Sequence, residues 1–303
     1  MMVFCVKGKA MDIKDIKKNK ILSFVCLGIA HVIAIIIGTV IGTSMTGEIW
    51  VNLLVAGLVS TIILFIFSVV FGNTSFFAPY WGLMPLVAVL AMCIHTNMSL
   101  LRFLLALCVV VWGGRLTVHW VKNFADLRRE DWRTVQVRKN AGAFYPVMNF
   151  LGIHLMPSLV IFLCMLPVSV AFEFEAKFSA LSLLFILIAL GGLAIEIYAD
   201  YHMSIFHLDL ADGYVTGCCR YGLWKNSRHP NYLGEMIFWL GIAIAVILNL
   251  PSKWFVIIGP LALIAMFVLI SIPMMETRLK GKAGYSRYFK TTHLLLPIPK
   301  KEQ

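Results

Sequence analysis

Three groups of polar residues stand inside or beside apolar runs, where a lone charge costs roughly 2.5–3.5 kcal/mol to insert at a helix centre and is a functional candidate by default. In WGGRLTVHW, Arg115 and His119 lie four residues apart on one helical face, and Gly113 and Gly114 leave room for another helix or a ligand. In GGLAIEIYADYH, Glu196 and Asp200 repeat that spacing behind Gly191 and Gly192. Two acids on one face need cations or donors. The third group is GLWKNSRHPNYLGE, residues 222–235. Pro230 suits a first helical turn, so a helix should begin there, with Arg228 beside its positive N-terminus as a physical basis for holding phosphate. Asn231 and Glu235 share one face a turn apart, and Glu235 can accept hydrogen bonds from an amide, hydroxyl or amine. The plainer explanations are that Arg115 snorkels to the interface and that the acids pair with Arg115 and Arg228 as structural glue.

The C-terminal stretch METRLKGKAGYSRYF supplies Glu276, Arg278, Tyr285, Arg287 and Tyr288, is too polar to insert, and ends in apolar LLLPIP. It is expected to fold back as a lid; the alternative is a basic tail on anionic lipid, at about 1 kcal/mol per cation. Seven cysteines show no C-x-x-C spacing, so neither a disulfide framework nor a metal site is expected. The adjacent Cys218 and Cys219 are either a thiol hot spot or loop filler.

These groups must be positioned by membrane helices. Sixty per cent of the 303 residues are hydrophobic and 14% charged, with a mean hydropathy of +0.86, which excludes an ordinary soluble domain. Apolar runs predict an all-α polytopic membrane helical bundle of about seven or eight spans: Ile21 to Thr43, Ile49 to Phe71, Leu83 to His95, Leu100 to Val121, Phe150 to Phe172, Phe178 to Ala199, Tyr232 to Leu248 and Trp254 to Pro273. The third is short enough to be tilted or re-entrant. The basic start is followed by a run too long for a signal peptide and is expected to be retained.

The net charge of +11 could imply nucleic acid, but the cations cluster beside apolar runs, so topology explains them and no nucleic-acid partner is expected. With eight spans, both termini are cytoplasmic and only Arg102, Arg115, Lys177 and Lys253 of the 26 cations fall outside cytoplasmic segments. The external loop after Phe172 carries Glu173 and Glu175. That topology sends GNTSFFAPYWG (72–82), residues 122–133, the 200–231 loop and the C-tail to one face. Residues 1–20 form a basic tail and 21–303 a single transmembrane domain, with no repeat or linker, and the oligomeric state stays open.

In order and spacing, GNTSFFAPYWG, WGGRLT, REDWR, GLWKNSRHPNYLGE and a closing pattern through Tyr285, Tyr288, Thr291, Leu295 and Pro297 resemble the steroid 5-alpha-reductase superfamily, specifically its bacterial branch of uncharacterised membrane proteins, from about Gly72 to Pro299. The resemblance implies a helical bundle with a cytosol-facing NADPH cavity that reduces carbon–carbon double bonds conjugated to a carbonyl. By that resemblance, Arg115, Asp200, Asn231 and Tyr288 match cofactor-contact positions, and Glu235 a glutamate that helps hold the nicotinamide amide. Glu196 stands where steroid reductases carry asparagine. With Arg228, His229, Tyr232, Arg278 and Tyr285 these make the expected cofactor set, and Arg128, Arg129 and Arg133 offer partners for a 2′-phosphate, favouring NADPH over NADH. The family tyrosine that polarises the substrate carbonyl aligns with Trp112, which is no acid, and its glutamate partner has no equivalent; His119, Tyr198 or Tyr80 would have to donate the proton.

The leading expectation is therefore an NADPH-dependent oxidoreductase of lipid metabolism, acting on a lipid-like substrate that enters from the bilayer in a bacterial plasma membrane. A second is a methyltransferase using S-adenosylmethionine, resembling isoprenylcysteine carboxyl methyltransferases, which share R-H-P-x-Y, a downstream glutamate and a tyrosine-bearing tail. A third is a non-enzymatic lipid-binding protein. The matches upstream of Gly191 favour the reductase, and charges gathered at one face argue against a transporter.

Overall fold

The computed structural model describes residues 4–6, 9–45, 47–175 and 178–300; Lys177 lies outside the described residues. Eight helical stretches among them are long and apolar enough to cross a membrane, so the chain is a polytopic helical membrane protein. Its internal contacts divide it into two compact units, Met1–Glu175 and Ala176–Gln303.

The first unit opens with a short antiparallel hairpin, β1 (Phe4–Val6) and β2 (Lys9–Met11), and α1 (Ile13–Lys18). The membrane helices follow: α2 (Lys20–Met45), α3 (Ile49–Phe71), α4 (Tyr80–His95) and α5 (Leu100–Asn123). After them come α6 (Trp132–Ala141), α7 (Tyr145–Met148), a π-helical turn at Asn149–Leu155 and α8 (Met156–Glu173). The short third run becomes a full crossing, because the turn Thr74–Phe76 and the residues from Tyr80 extend it to Thr74–His95.

Small residues set the spacing. A Cβ on Gly38 would lie 2.6 Å from the Ala56 carbonyl oxygen, and one on Gly113 would lie 2.7 Å from that of Gly82. Thus α2 seats on α3 and α5 on α4 with backbones nearly touching, the packing that membrane helices use where hydrophobicity gives no preference. Gly113, expected to admit a helix or a ligand, admits a helix.

The end of this unit where α3 finishes and α4 starts is knitted by polar side chains. Asn73 Nδ2 donates to the carbonyls of Leu127 (2.6 Å) and Arg129 (3.1 Å), the Thr74 N–H donates to Glu130 (3.0 Å), and the Thr74 and Thr134 hydroxyls meet at 2.9 Å. At the opposite end Arg102 donates to the carbonyls of Asn97 (2.7 Å), Ala171 (2.9 Å) and Phe174 (3.3 Å). It closes the C-terminus of α8, where the last carbonyls have no intrahelical donor and the dipole favours a cation.

The second unit holds α9 (Ala180–Ala211), α10 (Pro230–Asn249), α11 (Ile258–Met266), a π-helical turn Phe267–Ser271, α12 (Ile272–Leu279) and α13 (Tyr285–Thr291). A Cβ on Gly192 would stand 2.5 Å from the Gly234 oxygen, and one on Gly241 2.7 Å from that of Phe185, so α9 and α10 pack along a glycine seam. The α9 helix continues twelve residues past Ala199 because Met203, Phe206 and Leu210 recur at helical spacing and bury against Trp224, Cys219 and Val215.

Candidate functional site

The start of α10 is where the sequence concentrates its chemistry. Pro230 is the first helical residue, as its missing N–H and fixed φ predict. The chain before it is fastened to the C-terminal segment by backbone pairing: the N–H groups of Arg228 and His229 donate to the carbonyls of His293 (2.9 Å) and Leu294 (3.1 Å), and the His293 N–H donates to Asn226 (2.9 Å). The Ser227 hydroxyl adds a bond to the Leu295 carbonyl (2.6 Å). The tail therefore folds back as expected and becomes a strap over residues 224–229.

Arg228 is the centre of this strap. Its Nε donates to Glu276 (2.9 Å), its Nη1 to the carbonyls of Thr292 (2.7 Å) and Phe289 (3.2 Å), and its guanidinium lies 4.4 Å from the Phe289 ring centroid. Those two carbonyls belong to the end of α13, the pole that favours a cation. With 7% of the side chain exposed, Arg228, expected beside the α10 start as a phosphate ligand, directs its hydrogen bonds to Glu276 and the end of α13.

His229 Nε2 donates to the same Glu276 oxygen at 2.8 Å, and the Tyr285 hydroxyl to the other. Burial, together with that carboxylate, pushes the Tyr285 phenol up to about 12. The Tyr288 hydroxyl donates to the carbonyls of Trp224 (2.9 Å) and Ser227 (3.2 Å), and burial raises its pKa too. Tyr232 is stacked between His229 (5.5 Å) and Phe267 (4.4 Å). Arg228, His229, Tyr285 and Tyr288, all expected at the cofactor, thus hold the tail to the start of α10. Glu276, which accepts from three side chains, is the hub that sequence reasoning passed over as one more tail residue; the only hint was an acid among basic neighbours.

What remains of the expected set lies on α9 and the first turns of α10. Asn231 is partly exposed, and its amide makes no hydrogen bond to a described residue. Glu235 is buried one turn further on, and Glu196 is buried on α9 with its Cγ against Gly234, where an added Cβ would meet it at 2.7 Å. Asp200 is half-buried a turn beyond Glu196, and Arg278 is exposed on α12. This patch offers an amide and carboxylates, which suit the carboxamide and ribose hydroxyls of a nucleotide better than its phosphates.

In the first unit, Arg128 pairs with Asp126 (2.6 Å) and Arg133 with Asp131 (2.9 Å) within their own segment, so two of the three arginines expected for a 2′-phosphate already hold carboxylates. Arg128 holds the Asp126 carboxyl below its usual range. Arg115 is half-buried on α5, a turn from Trp112, which is fully buried. Of the candidate proton donors, His119 is exposed near the end of α5, and Tyr198 is 49% exposed on α9 with its ring 4.2 Å from that of His202. Tyr80 alone is buried, its hydroxyl donating to the Gly57 carbonyl at 3.1 Å. In the second unit burial lifts the Cys219 thiol to about 11 and raises Cys218, so both are protonated at neutral pH and make a poor thiol hot spot.

An uncharacterized protein of Schizosaccharomyces pombe is 26% identical over 243 residues, covering 71% of this chain and 68% of its own length. No solved structure matches. Residues 64–292 match the family described as "Protein of unknown function (DUF1295)". That stretch takes in the α10 start, α13 up to Thr292 and the knitted end of the first unit, and the chain is a member of this family, part of the steroid 5-alpha-reductase-like group.

Proposed function

We propose that this chain is an NADPH-dependent membrane oxidoreductase that reduces a carbon–carbon double bond, of the enone type, in a lipid-like substrate. Its basic loops face the cytoplasm of a bacterial plasma membrane. The observation that carries the reading is the Asn231 amide, partly exposed and without a described hydrogen-bond partner in the first turn of α10, one turn before the buried Glu235. An amide and a carboxylate at that spacing complement the carboxamide of a nicotinamide, which both donates and accepts. The bound cofactor would supply hydride; the chain supplies orientation through Asn231, Glu235, Glu196 and Asp200, and a strap that keeps the helix start in register. Of the three arginines expected for a 2′-phosphate, Arg128 and Arg133 already hold carboxylates and Arg129 is exposed.

One observation favours a second reading. Glu196 and Glu235 are buried beside the glycine seam, and carboxylates repel pyrophosphate but attract a sulfonium. S-adenosylmethionine and methyl transfer therefore remain the alternative. Binding of NADPH, NADH and S-adenosylmethionine to the detergent-purified protein separates the two. The reductase reading expects NADPH to bind most tightly and Asn231→Ala to weaken it by about tenfold, the loss of one amide's paired hydrogen bonds. Preference for S-adenosylmethionine overturns it in favour of methyl transfer, and binding of none of the three leaves a lipid-binding protein without catalysis.

A further inference from the structure

The tail that straps the start of α10 presents one apolar edge outward. Residues 293–295 run beside Asn226–His229, joined by the backbone pairing and the Ser227 bond described above. Side chains of an extended segment alternate in direction, and exposure alternates with them. Leu294, Leu296 and Ile298 are 37%, 54% and 51% exposed, whereas His293, Leu295 and Pro297 are half-buried. No polar residue interrupts Leu294–Pro299. In water, an apolar edge on an extended segment favours aggregation; a lipid boundary suits it better.

The strap lies where hydrocarbon gives way to headgroups. Helix α10 has 20 residues, which at 1.5 Å each is about 30 Å, the thickness of a hydrocarbon core. The chain is polar on either side of it, with Arg228 and His229 before and Ser252 and Lys253 after. The whole helix is therefore needed for the crossing, and Pro230 marks one boundary. Because the strap is hydrogen-bonded to the residues immediately before Pro230, it shares that depth. Its composition agrees: Pro297 and Pro299 carry no N–H, so the segment brings few backbone donors that hydrocarbon would leave unsatisfied. From Tyr285 to Lys300 the chain holds three cations, Arg287, Lys290 and Lys300, all exposed, and no acid.

We infer that the strap is an in-plane anchor on an anionic bilayer: Leu294, Leu296 and Ile298 enter the headgroup–acyl boundary, and Arg287, Lys290 and Lys300 meet lipid phosphates. Interfacial segments bind in this way where apolar side chains and cations lie together. The anchor ties Glu276, and through it Arg228 and His229, to the lipid surface, so the start of α10 is held at the boundary by lipid as well as by the chain. The lid and the lipid-binding tail expected from the sequence are then two sides of one element. The anchor stands whether or not the chain binds a nucleotide.

The test is site-specific photocrosslinking of the full-length chain in nanodiscs of phosphatidylcholine with a minor share of phosphatidylglycerol, without nucleotide, so that its outcome is separate from that of the cofactor experiment. Benzoylphenylalanine replaces Leu296 or, in a second variant, Ile298, and adducts are identified by mass spectrometry. Lipid adducts are expected at both positions, with the anionic lipid about fivefold above its share of the bilayer. Lys290→Gln combined with Lys300→Gln should cut that enrichment at least about threefold. Tyr214 is the control. Gly234 packs between Gly192 and Glu196, which puts Ala199 near the depth of Pro230; α9 runs about 18 Å further, and the Tyr214 N–H is held by Asp209 near that far end. Although Tyr214 is 79% exposed, the same probe there should capture no lipid. Exchange of the Arg228, His229 and His293 amides is read in each variant and should be unchanged, because a side chain facing lipid tolerates an apolar replacement. Loss of that protection would mean that Leu296 and Ile298 pack against protein, and it overturns the anchor. So do adducts to polypeptide instead of lipid, equal lipid capture at Tyr214, or anionic enrichment indifferent to both lysines.

Discussion

Replacing Glu276 by glutamine tests whether the tail is held by a charge hub. The carboxylate, with 13% of its side chain exposed, accepts from Arg228 Nε at 2.9 Å and His229 Nε2 at 2.8 Å, and from the Tyr285 hydroxyl. Glutamine keeps the size but presents one oxygen and an NH2 to three donors, so at least one donor is left without a partner beside an uncompensated guanidinium. Removing one partner of a buried pair costs about 3–5 kcal/mol; with part of the site open to solvent, about 3 kcal/mol is the appropriate scale. That corresponds to roughly a hundredfold rise in the population of the detached strap. Hydrogen exchange on the purified protein reads it directly. The N–H groups of Arg228, His229 and His293, paired across the strap, should exchange about a hundredfold faster, while those in the middle of α9 and α10 keep their protection. Unchanged exchange at the three amides would refute the hub. A uniform loss of protection would also refute it, since the strap would then be inseparable from the bundle.

Arg102→Ala should lower stability in detergent by about 2–4 kcal/mol, because three carbonyl oxygens lose a charged donor; Arg102→Lys, unable to fan across all three, should recover only part, and thermal unfolding that ranks lysine with arginine would contradict the fan. The Tyr285 phenol has its pKa raised from 10.0 to about 12. Its contribution is fully present below the unfolded value and lost as pH rises through the folded one. Strap protection should therefore fall between about pH 10 and 12 in the parent protein, and Tyr285→Phe, measured by hydrogen exchange, should be weaker at neutral pH but lack that alkaline decline.

Helix count, the proline start of α10 and the folding back of the tail were legible because each rests on a local rule: run length, ring geometry, polarity. The sequence also named the polar residues of the α10 region. It could not apportion them, because their partners come from distant positions. Arg228 beside a helix N-terminus reads as a phosphate ligand until the end of α13 arrives 61 and 64 residues later with two carbonyls. The continuation of α9 past Ala199 was hidden for the same reason: Met203, Phe206 and Leu210 gain an apolar partner only once residues 215–224 return over them. His154 in the π-helical stretch and Ser158 in the first turn of α8 drew no notice, since single polar residues in an apolar run become a network only when α3 supplies Ser68 and Thr61.

The motifs that carry the family resemblance fall into two physical kinds once donors and acceptors are matched. Asn73, Thr74 and Glu130 bond to one another's segments, and Arg228, Glu276 and Tyr288 do the same in the strap. A side chain whose bonding capacity is met inside the protein has little left to offer a ligand, because breaking its internal bonds would cost about what the new ones return. Asn231 differs: it stands within the same motif, on a rigid helix start, with an amide that no described residue satisfies. Water could solvate it there at little cost, so its position alone does not demand a ligand. A rigid amide that needs no rearrangement before binding is nonetheless the arrangement that loses least on association. It therefore separates a binding motif from a fastening one within the same eight residues.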